Sequence, residues 1–185
     1  MGRDIYLGQK SSRQGYWTSF ETDPRHALSK RNIYGKCVPC MENLLNQLVE
    51  GRQEIKLGNA FDCWKVVAVL EDEDECLRTL EKYERRFIPS RYIRGRFGSK
   101  EESGTKAVVI HADSEEERDG VLHELEQCAR EVNSRATVFC ARACEYLYGE
   151  VLGDWRDWQE TTPIEYPQKV SQVITKIKKV LYDQD

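Results

Sequence analysis

No apolar run in this chain approaches the length of a membrane span, so a transmembrane helix is not expected. Positive charge is in deficit: 28 Lys and Arg against 32 Asp and Glu leave a net charge of −4, and there is no global basic field to draw in nucleic acid. Internal repeats and low-complexity segments are absent, which excludes a solenoid or a fibrous chain. No Walker loop, dinucleotide fingerprint, nucleophile elbow or His-Glu-x-x-His motif is present, so no reaction is named by a motif. The N-terminal "MGRDIYLGQK" has no apolar stretch of the signal-peptide kind. Tyr6 stands where the myristoylation pattern requires Ser or Thr. A cytoplasmic location is expected.

At 185 residues, one domain (1–185) with extensions is the natural reading, and the chain is long enough to bury a core without disulfides. Its 39% hydrophobic and 32% charged residues describe a water-exposed globular protein. The clearest pattern runs over 62–142. "CWKVVAVL" (63–70) and "TKAVVIHA" (105–112) are apolar runs of strand length, and "RATVFC" (135–140) is a third. "SRYIRGRF" (90–97) alternates, with Ile93 and Phe97 on one face and Tyr92, Arg94 and Arg96 on the other. Between these runs, Leu77, Leu80 and Phe87 recur at helical spacing. Ser114 and Glu117 form a capping box ahead of an apolar stripe of Val121, Leu122, Leu125, Ala129 and Val132.

The order strand-helix-strand-strand-helix-strand implies an α+β fold with a ferredoxin-like core. In that arrangement the charged strand 90–97 is an edge. One sheet face then needs a cover, from a second chain, from the N-terminal segment 1–61, or from the C-terminal segment 143–185. There Pro167 opens an amphipathic helix with Val170, Val173, Ile174, Ile177, Val180 and Leu181 on its stripe. That helix is expected to pack on its own chain, with a homodimer contact as the alternative.

Seven cysteines are scattered through apparent core elements, which in a reducing compartment means thiols or metal ligands rather than structural disulfides. Cys37 and Cys40 lie at a helix start, where the dipole and unpaired N–H groups favour a thiolate. With Pro39 the motif is Cys-x-Pro-Cys, which resembles the thioredoxin-type redox motif. The following strand, helix, Ile88-Pro89, two strands and helix have the order of a thioredoxin-like fold, the alternative to the ferredoxin-like one. The sequence departs from that pattern at Lys36, where the motif usually has tryptophan, and in the polar lead-in "SKRNIYGK". The resemblance implies a thiol–disulfide redox pair at Cys37 and Cys40. A metal reading adds Cys140 and Cys144, which on one helix would point the same way. The four thiolates would suit zinc or an iron–sulfur cluster. Otherwise no cofactor is expected. Cys63, Cys76 and Cys128 read as packing residues.

Tyr92, Arg94, Arg96 and Lys100 form the one concentrated basic stretch, suited to phosphate or carboxylate. "RGRFGSK" is similar to the opening of an RNA-recognition motif. The strand "TKAVVIHA" has no stacking ring beyond His111, however, so nucleic acid is not the expected partner. His111, at a strand end, is the best-placed general base, with no nucleophile beside it in sequence. The first expectation is therefore a non-catalytic binding or regulatory module for an anionic small molecule or a protein partner. The rivals are a thiol redox protein and a structural metal protein.

Overall fold

The structure, a computed structural model, describes residues 6–12, 15–22, 37–87, 93–98 and 106–182. In chain order the elements are β1 (Tyr6–Ser12), β2 (Gly15–Glu21), α1 (Val38–Val49), β3 (Glu54–Lys56), α2 (Asn59–Asp62), β4 (Trp64–Leu70), α3 (Glu73–Arg86), β5 (Ile93–Gly98), β6 (Lys106–Ala112), α4 (Glu115–Val132), β7 (Thr137–Arg142), α5 (Glu145–Leu152), β8 (Thr161–Pro163) and α6 (Val170–Tyr182). The fold is thus mixed α and β. Its chain divides into two compact units, Met1–Ala27 with Trp64–Cys140, and Leu28–Cys63 with Ala141–Asp185. Among the described residues no helix is long and apolar enough to cross a membrane.

The first unit is built on a six-stranded sheet in the order β1-β2-β5-β6-β4-β7. Antiparallel ladders join β1 to β2, β2 to β5, β5 to β6 and β6 to β4. Val66, Ala68 and Leu70 of β4, Val108 and Ile110 of β6 and Ile93 of β5 alternate onto one face. There they meet Cys76, Leu80 and Tyr83 of α3 and Val121, Leu125, Cys128 and Ala129 of α4.

Both helices start at a side-chain cap, Asp72 for α3 and Ser114 for α4. Asp72 accepts from the Glu75 N–H at 2.7 Å, while the Glu75 carboxylate accepts from the Glu71 N–H. Ser114 accepts from the Glu117 N–H at 3.1 Å, and Glu117 from the Asp113 N–H. Glu75 is buried and also accepts from the Asn133 side-chain amide just past the end of α4, so one carboxylate ties the start of one helix to the end of the other.

Two local expectations change. Leu77 is 39% exposed, because the buried stripe of α3 runs through Cys76, Leu80 and Tyr83, one helical position away. β5 is not an edge strand. The β1–β2 hairpin adds to it, with Phe20 opposite Gly95 and Glu21 opposite Arg94 in register. Phe20 is buried, and Gly95 is what admits it. A Cβ at position 95 would collide with the Phe20 ring and the Ala107 carbonyl oxygen.

The second unit is mostly helical. Met41, Leu44, Leu45 and Leu48 of α1, Leu147, Tyr148, Val151 and Leu152 of α5, and Val173, Ile177 and Leu181 of α6 share one core. The C-terminal helix therefore packs on its own chain, in this core with α1 and α5. A short ladder pairs Ile55 of β3 with Thr162 of β8. Gln47 brackets β3 with its amide: Nε2 donates to the Lys56 carbonyl at 2.9 Å and Oε1 accepts from the Lys56 N–H at 2.8 Å. At the end of α1, Gly51 takes a positive φ of 73°. This lets its N–H reach the Leu48 carbonyl and the Arg52 N–H reach the Gln47 carbonyl, the Schellman pattern.

Gly95→Ala is expected to destabilise the chain by at least ~2 kcal/mol, since neither the backbone carbonyl nor the packed ring can yield cheaply. Urea unfolding checks the magnitude, and limited proteolysis of the β1–β2 hairpin should accelerate in the variant.

Candidate functional site

Two helices in the second unit begin at a cysteine. Cys37 is the N-cap of α1 and Cys144 the N-cap of α5, and neither side chain caps its own helix by a hydrogen bond. Pro39 sits in the first turn of α1, where its missing N–H costs nothing and its fixed φ favours the helix. Cys40 lies one turn in from Cys37, on the buried side of α1 with Met41 and Leu44. Cys37 and Cys40 are each 4% exposed and Cys144 1%, and all three belong to the same core. No disulfide joins them.

The Cys144 thiol lies close enough to Cys37 and Cys40 to interact electrostatically with both. A second polar link holds the same region together. The Tyr148 hydroxyl, one turn after Cys144, donates to the Cys40 carbonyl oxygen at 2.7 Å and accepts from the Asn43 amide at 3.2 Å. Tyr148 is itself fixed by its backbone N–H to the Cys144 carbonyl and by a tilted ring contact with Trp158 at 6.0 Å. One face of the first turn of α5 thus meets one face of the first turn of α1.

The thiols are electrostatically unequal. The Cys144 hydrogen bond holds Cys40 below the ordinary thiol range, against burial and the charge of Cys37, which push it up. Cys144 is driven far above that range, first by its hydrogen bonds to Cys37 and Cys40 and then by burial. Within the pair, Cys40 is the thiol shifted down and Cys144 the one shifted up. The cluster titrates as a unit. Burial also raises the Tyr148 phenol.

The other sequence candidates fall elsewhere. Cys140 is on β7, not on a helix with Cys144, and packs partly buried against the first unit's core. The strand ends at Arg142 and α5 begins at Glu145, so the i, i+4 geometry expected of 140 and 144 does not arise. Among the described residues no group of three or more His, Cys, Asp or Glu side chains is arranged to hold a metal ion. Cys76 and Cys128 are buried in the first core. Burial and the nearby Asp72 push Cys76 up to about 12, and burial raises Cys128. Arg94 is half-buried in β5, opposite Val109 of β6. Tyr92, Lys100 and the side chain of Arg96 lie outside the described residues. His111 is buried at the end of β6, opposite Lys65 in register.

Sequence reasoning missed Asn43 and Tyr148. The signals were there: Cys144 and Tyr148 are four apart, and Cys40 and Asn43 three apart, so each pair shares a helix face.

Iodoacetamide labelling of Cys40 against pH should show a midpoint below that of an ordinary thiol. Cys144→Ala should move it upward by removing the donor. Tyr148→Phe removes a buried hydrogen bond between α5 and α1 and should cost about 0.5–1.5 kcal/mol in urea unfolding. Comparison with protein-family models, with curated proteins and with solved structures finds no match to this chain.

Proposed function

We propose that the protein is a cytoplasmic thiol redox protein acting through Cys37, Cys40 and Cys144. The carrying observation is the convergence of three buried thiols from two distant chain segments, one of them a donor that favours the thiolate of Cys40. A low-pKa thiolate beside a resolving thiol is the arrangement that responds to oxidants. The small exposure of Cys40 favours a small oxidant, so the substrate class is a hydroperoxide. The Cys40 thiolate attacks the terminal peroxide oxygen, and the O–O bond breaks. The departing alkoxide or hydroxide takes up a proton. Cys40 becomes a sulfenic acid, oxidised by two electrons while the peroxide is reduced. A neighbouring thiol then attacks the Cys40 sulfur and forms a disulfide. The S–O bond breaks, and hydroxide leaves as water with that thiol's proton. A dithiol reductant returns two electrons and two protons.

This reading is preferred to an anion-binding module because β5, which carries Arg94, lies between β2 and β6 rather than at an exposed edge. For the first unit, we infer a ferredoxin-like core extended by a hairpin. It is supported by the element order β4-α3-β5-β6-α4-β7 and the sheet order β5-β6-β4-β7.

A thiol count under hydrogen peroxide tests the function. Near-stoichiometric peroxide should remove two titratable thiols per chain, reversibly with dithiothreitol, and Cys40→Ser should abolish the loss. An unchanged count, or equal loss in Cys40→Ser, would overturn the proposal.

A further inference from the structure

The motif Cys37-Val38-Pro39-Cys40 invites a disulfide within itself, but the geometry points to another pair. Resting on the thiol redox reading above, we propose that the bond formed on oxidation joins Cys40 to Cys144, stapling the first turn of α1 to the first turn of α5.

Three observations carry this. The Cys144 thiol interacts with both Cys37 and Cys40, and of the two it is Cys40 whose backbone is bonded to α5. The Tyr148 hydroxyl on the Cys40 carbonyl holds the two first turns side by side, independently of any sulfur. Cys144 forms no cap bond with its own helix, so its side chain can turn toward Cys40 without uncapping α5. The disulfide needs the two sulfur atoms at about 2.05 Å, and the Tyr148 bond already holds the Cys40 backbone beside α5.

The chemistry follows from the charges. While Cys40 is a thiolate, Cys144 keeps its proton. Once Cys40 has become a sulfenic acid, that negative charge is gone. The Cys144 thiol then loses its proton as its sulfur attacks the Cys40 sulfur, and the hydroxyl leaves as water. Two thiols and one peroxide yield one disulfide, one water and the peroxide's alcohol or a second water.

The two pairings differ in what they do to the chain. A Cys37–Cys40 bond closes a ring of four residues and scarcely restricts the unfolded state. A Cys40–Cys144 bond closes a ring of roughly a hundred residues, for which the loop-closure term is large. It would join the two segments, Leu28–Cys63 and Ala141–Asp185, that make up the second unit. The oxidation state would then set how tightly those segments are held together.

The test uses the full chain, oxidised with hydrogen peroxide, alkylated, digested without reduction and read by mass spectrometry, with thermal unfolding on the same sample. A cross-linked peptide pair containing Cys40 and Cys144 is expected. So is a rise in Tm on the order of 10 °C that dithiothreitol reverses. Cys37→Ser should still form the bond. Cys144→Ser should stop at a sulfenic acid on Cys40, trapped by dimedone. A Cys37–Cys40 peptide with unchanged Tm, or loss of two thiols in Cys144→Ser, would overturn this pairing and leave the redox function standing. No loss of thiols in the wild-type chain would overturn both.

Discussion

A phenol buried in an apolar core must find a partner, and Tyr148 finds the carbonyl oxygen of Cys40, 108 residues earlier in the chain. That hydrogen bond sets how α5 approaches α1. With it in place, the first turn of α5 meets the first turn of α1, and Cys37, Cys40 and Cys144 are buried in the core the two helices share. Asn43 completes the link by donating to Tyr148 and to the carbonyl of Lys56, so the same polar cluster also holds β3. A cavity or an unsatisfied carbonyl here would loosen the thiol cluster as well as the core.

The inequality of the thiols follows from where each proton can go. Burial is the largest cause raising Cys76 and Cys128, and nearby carboxylates add to it at Cys76. At Cys40 the donor is another thiol, and its hydrogen bond outweighs burial. Cys40 gives up its proton more readily than an ordinary thiol, and Cys144 less readily. One core therefore holds a thiol shifted down beside one shifted up, while Cys76 and Cys128 of the first unit are both shifted up.

The first unit relies on different devices. Glu75 serves a helix start and a helix end at once, and Tyr83 donates to Glu124 at 2.6 Å between α3 and α4. On the exposed side of the same helix pair, Arg86 and Lys82 both meet Glu131, contacts whose worth is small in water. The sheet is lengthened because Gly95 leaves room for Phe20. That extension turns a strand with charged alternate positions into an interior one.

The local elements of the first unit were legible in sequence because their causes are local. Valine-rich runs made β4 and β6, and Ser114 with Glu117 started α4. The stripe of α6 was legible too, as was the start of a helix at Cys37. The hairpin's place beside β5 was not, because it depends on a ring fitting over a glycine some 75 residues away. Nor was the cysteine set. Spacing favoured Cys140 as the partner of Cys144, but the backbone changes from strand to helix between them, so the i, i+4 helix face does not exist. Which thiols meet was decided by α1 packing on α5, a contact that no periodicity records.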